Sequence, residues 1–214
     1  MGSGLTATTA ILTILLVPLG SASCRGTGQR SCGFSFERNG SGLPADITAR
    51  LSGPLTREDL DAIERTSREE LQRAFADFHL SISDDRKAFW RVRVVHDVTP
   101  QSHGLPGAGE SLALGPLGGI GFVDFVAVAL AAVRYAPDQA SRQQIVDAIG
   151  RGIGRVAAHE LGHQILGAAT AHDNSDENAY EYGSPERRSQ YYGELHWTTW
   201  RRPLARRLVR PYWR

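Results

Sequence analysis

The chain has 214 residues, enough for one globular domain with a short appendage. A hydrophobic share of 41% and a charged share of 22% exclude a wholly disordered chain. Twenty-four basic residues against 23 acidic ones leave +1, too little for nucleic-acid binding through bulk charge, and two cysteines cannot build a disulfide scaffold.

Leu5 to Leu19 is an uncharged apolar run followed by Gly-Ser-Ala-Ser-Cys. It reads as a leader over residues 1–23, either cleaved near Ala22 or Ser23 or kept as an N-terminal membrane anchor. The mature chain is then secreted, periplasmic or attached to the cell envelope. The segment resembles a bacterial lipobox ending at Cys24, although Ser21 stands where an aliphatic residue is usual. The rival readings are a Cys24–Cys32 disulfide and free thiols.

Residues 24–54, rich in Gly, Ser and Arg, read as a linker. Order is expected from Leu55. Thr56 followed by Arg57-Glu58-Asp59 is a helix start, and Leu60, Ile63, Leu71, Phe75 and Phe78 carry the helix to about Phe78. Leu80 to Ser83 and Phe89 to Val95 alternate with period two and read as strands. Pro100 to Gly121 reads as a loop or loose hairpin and holds no phosphate-cradling motif. Phe122 to Val128 reads as a further strand, with Ala129 to Tyr135 able to continue as helix.

Asp138 to Leu166 is the most regular stretch, with Ile145, Ile149, Ile153, Val156 and Leu161 at helical spacing. Gly150, Gly152 and Gly154 interrupt it, which predicts either close packing against a neighbour or a break near Gly150. Gly167 supplies a stop, Ala171 to Glu177 a polar loop, and one or two helices follow Pro185. The arginines between Trp200 and Arg210 read as a solvated helix face rather than a polyanion site.

His159-Glu160-Leu161-Gly162-His163 places HExxH on that long helix. Residues i and i+4 lie one above the other, so both imidazoles can approach one ion, and Glu160 borders the same cleft. Ala158, Leu161 and Ile165 are rotated away and suit a buried face. By composition the pattern arises by chance in on the order of one such chain in a hundred.

This segment resembles the zincin metallopeptidases. The resemblance implies an α+β, zincin-like catalytic domain over 55–214, with a long active-site helix packed on a small mixed sheet. It implies Zn²⁺ held by His159 and His163, Glu160 as general base, and an extended peptide laid along an edge strand, for which Phe122 to Val128 is the candidate. Metzincins continue HExxHxxGxxH, but this chain has Leu166 and Ala169 at those places. Gly167 and His172 look like the same turn lengthened by three residues, so His172 ranks first as third ligand. Glu181 is the runner-up, followed by Glu177, Asp173 and Asp176. The methionine turn that metzincins carry below the metal has no counterpart, since Met1 is the only methionine. Tyr180, Tyr182, Tyr191 and Tyr192 are candidate donors to a developing oxyanion, though packing is the commoner role for each.

The expected activity is hydrolysis of peptide bonds in a peptide or protein substrate, without nucleic acid. The alternative is a secreted or membrane-attached binding protein with a structural or inactive zinc site.

Overall fold

Local chemistry accounts for most element boundaries. The computed structural model describes residues 30–37, 43–97, 108–114, 118–167 and 170–208. The expected leader, Cys24, residues 100–107 and 115–117 of the expected loop, Ala169 and the end of the basic tail lie outside the described residues. In chain order the elements are β1 (Arg30–Phe36), α1 (Ala45–Arg50), α2 (Arg57–Ala74), β2 (Leu80–Ser83), β3 (Trp90–Val95), β4 (Gly109–Ala113), β5 (Gly119–Asp124), α3 (Phe125–Arg134), α4 (Arg142–Leu166), α5 (Ser189–Tyr192) and α6 (Arg201–Leu208).

The chain is an α+β protein in which the long helix α4 packs on a five-stranded mixed sheet of order β2-β1-β3-β5-β4. The first four strands in that order run parallel, and β4 closes the sheet antiparallel to β5. Both long helices begin with a reciprocal capping box, Thr56 with Asp59 in α2 and Ser141 with Gln144 in α4. α4 runs unbroken through its glycines. A Cβ on Gly150 would lie 2.7 Å from Thr66 Cβ, and one on Gly154 would lie 2.5 Å from the Ser67 carbonyl oxygen. The glycines therefore let α2 approach α4, which is the close-packing reading.

Two expectations need correction. The segment 24–54 is not simply a linker: β1 lies within it, pairs with both β2 and β3, and buries Cys32 and Phe34 completely or nearly so. Its glycine and serines hide the strand signal because β1 gains its order from the strands on either side. Burial pushes the free Cys32 thiol up to about 12. The expected strand Phe122 to Val128 ends at Asp124, whose side chain accepts the Ala127 amide at 2.8 Å and so starts α3. β5 is also an interior strand, so it is not the sheet edge. β4 occupies that edge, and among the described residues no strand pairs with its outer side.

No helix among the described residues is long and apolar enough to cross a membrane.

Candidate metal centre

α4 is buried on nearly every side, with Ala158 and Leu161 fully enclosed and Ile165 nearly so. Its C-terminal turns present His159, Glu160 and His163 to a cavity of about 330 Å³. Two glycines of β5 bring the sheet close to this end. A Cβ on Gly119 would fall 2.7 Å from Gln164 Cγ, and one on Gly121 would fall 2.8 Å from Gln164 Nε2. The Gln164 amide then pairs with the backbone of Arg91 in β3, donating to its carbonyl at 3.1 Å and accepting its N–H at 3.3 Å.

His172 reaches the cluster from the loop beyond Gly167. The Nε2 atoms of His159, His163 and His172 lie 3.2, 3.2 and 2.9 Å apart. The structure thus brings all three histidines together, and they could hold a metal ion. Nitrogen ligands about 2.0–2.1 Å from a tetrahedral ion would be about 3.3–3.4 Å apart, so the observed spacing fits within a few tenths of an ångström.

The donor chemistry fits as well. His159 Nδ1 lies 2.8 Å from the Tyr180 carbonyl oxygen, which can only accept, so the ring proton sits on Nδ1 and the lone pair faces the cluster. His163 Nδ1 is buried and has no partner among the described residues. Burial, reinforced by the neighbouring imidazoles, pulls His159 down to about 3 and His163 to about 4, and burial lowers His172 too. All three rings are therefore neutral near pH 7, the state a metal requires. His163 and Glu160 are buried whereas His172 is exposed, so the cluster opens to solvent on one side.

Glu160 lines the same cavity. Burial raises its carboxyl to about 7, with Glu110 adding to the rise and the Ser111 hydroxyl opposing it. Gly109 lets the carboxylate lie against the edge strand: a Cβ there would be 2.6 Å from Glu160 Oε1. Ser111 Oγ fastens the strand to the helix by donating to the Glu160 carbonyl at 2.8 Å.

None of the rival third ligands belongs to the cluster among the described residues. Glu181 is fully buried, and its Oε1 accepts the backbone N–H groups of Thr198 at 2.8 Å and Trp200 at 3.0 Å. Asp173 accepts from Ser175, Asp176 faces His196 at 3.0 Å, and Glu177 is not in the cluster. Of the four tyrosines, Tyr180 and Tyr182 line the cavity, but the Tyr180 hydroxyl donates to Glu70, that of Tyr192 donates to Ala132, and the Tyr182 ring lies under Arg187. Tyr191 is buried against Tyr135.

Sequence reasoning missed two contributors. One is the Tyr180 carbonyl, which any residue type could supply, so no sequence signal marks it. The other is Trp200, whose indole packs on all three imidazoles, with ring centroids 5.5 Å from His159, 4.8 Å from His163 and 6.3 Å from His172. Its presence among aromatics after Pro185 was visible, but not its distance from the motif. In comparisons with known proteins, no family model and no curated sequence matches this chain.

Proposed function

We propose that this chain is a zinc-dependent, zincin-like peptidase. The observation that carries the reading is the convergence of three imidazole nitrogens and the Glu160 carboxylate in one solvent-open cavity bordered by β4, whose outer side pairs with no strand among the described residues. His159, His163 and His172 would hold the ion. When bound, zinc would supply a Lewis acid and an acidified water.

The remaining work belongs to the chain. Glu160, buried and raised to about 7, exchanges a proton readily near neutral pH, so it can take one from water and pass it to the leaving amine. The outer edge of β4 offers backbone donors and acceptors to an extended peptide, which supports a peptide substrate over an isolated ester or amide. This role moves from the expected Phe122 to Val128 to Gly109–Ala113. The apolar run Leu5 to Leu19 supports export or attachment to the cell envelope.

The test is a comparison of purified chain with its Glu160→Gln variant, measuring zinc content and hydrolysis of a mixed peptide library. Zinc retained in both, with hydrolysis reduced at least a hundredfold in the variant, is the expected outcome. Equal and negligible turnover with zinc retained would leave the binding-protein alternative standing.

A further inference from the structure

His172 sits in a stretch, 170 to 178, that contains neither helix nor strand, and its side chain is exposed. The loop is also longer than the pattern His159–His163 resembles. Something other than secondary structure must fix its imidazole beside the other two.

Trp200 has the contacts to do so. It is 3% exposed, and its indole N–H donates to the carbonyl of Ala171, the residue just before His172, at 3.1 Å. The indole plane lies at 24° to the His172 ring and 29° to the His159 ring, and edge-on to His163 at 74°. Gly162 allows this approach: a Cβ there would be 2.8 Å from the indole. Behind it, the buried Glu181 carboxylate accepts the Trp200 backbone N–H. The indole is thus clamped at its backbone, pressed on α4 between the two motif histidines, and bonded to the third-ligand loop. An imidazole packed against a fixed plane cannot swing its lone pair freely.

We propose that Trp200 is the positioning residue that sets the third nitrogen of the cluster, with Glu181 acting through it. The inference rests on the metal reading above. Trp200→Phe keeps a ring against the histidines but removes the N–H donated to Ala171, and Trp200→Ala removes both.

The experiment titrates the wild-type chain, both variants and His172→Ala with zinc against a competing chelator, and records the visible spectrum of each loaded with cobalt. Metal-free melting curves show which variants fold. Zinc should bind about tenfold more weakly to Trp200→Phe and about a hundredfold more weakly to Trp200→Ala. The cobalt spectrum of each variant should move toward that of His172→Ala, a change that a loss of general stability would not produce. If Trp200→Ala does not fold, Trp200→Phe decides alone. Wild-type affinity and a wild-type spectrum in the folded variants overturn the proposal while leaving the metal reading intact. Failure of the wild-type chain to bind either metal overturns both.

Discussion

At the scale of single residues, the centre depends on which protonation states burial allows. His159 and His163 have folded pKa values below their ordinary 6.5, so between about pH 4 and 6.5 the unfolded chain binds more protons than the folded one. Their contribution to stability is full above 6.5 and is lost as the pH falls. Glu160 has the opposite sign. Its folded value of about 7 lies above the ordinary 4.5, so its contribution is full below 4.5 and is lost as the pH rises toward 7. His159 and His163 against Glu160 leave a net of at least one proton across the shared window, since burial lowers His172 in the same direction. Metal-free chain is expected to lose on the order of 1–3 kcal/mol of stability between pH 6.5 and 4.5. Urea midpoints across that range measure it, and a flat profile would show that the two imidazoles are more solvated than their packing implies.

At the scale of elements, α4 shows how a sequence pattern can be right in type and ambiguous in cause. Its capping box and apolar periodicity mark the helix plainly, but its three central glycines are equally compatible with a break. The structure decides in favour of packing because Gly150 and Gly154 face α2 while Gly152 faces Tyr191. A Gly154→Ala change should gain about 1 kcal/mol of helix propensity. It should lose more by forcing a Cβ to within 2.5 Å of the Ser67 carbonyl oxygen and 2.7 Å of Glu70 Cβ. Net destabilisation of about 1–3 kcal/mol in chemical denaturation is expected. The β5–α3 junction is the converse case. Val126 and Val128 suit a strand as well as a helix, and one capping bond from Asp124 selects the helix.

Across the whole molecule, the three-histidine cluster hangs on a buried ion pair between the two longest helices. Arg155, 1% exposed, donates from Nε to Glu70 Oε1 at 2.8 Å and from its terminal nitrogens to the carbonyls of Ser189, Gln190 and Gly193. Glu70 also accepts the Tyr180 hydroxyl at 3.3 Å, and the Tyr180 carbonyl in turn orients His159. Arg155→Leu leaves the Glu70 carboxylate with the exposed Arg73 as its one ion partner among the described residues and leaves three carbonyls without their donor. A loss of about 3 kcal/mol in unfolding free energy is expected. An effect below about 1 kcal/mol would mean that water or Arg73 replaces the guanidinium without difficulty.

What could be read from the sequence alone follows from interactions between residues close in the chain. The i, i+4 spacing of His159 and His163, the capping boxes at Thr56 and Ser141, and the α+β alternation of periods are all of this kind. His172 was legible as a residue type in the right loop, though not as a position. The tertiary structure decided the rest. β1 is ordered only by strands that follow it by some fifty residues or more, as in the pairing of Cys32 with Ile82 and Trp90. Glu181 is the runner-up ligand by residue type and spacing, yet the fold turns its Oε1 toward the backbone of Thr198 and Trp200. Packing between distant segments determines where a side chain points, and neither composition nor periodicity carries that information.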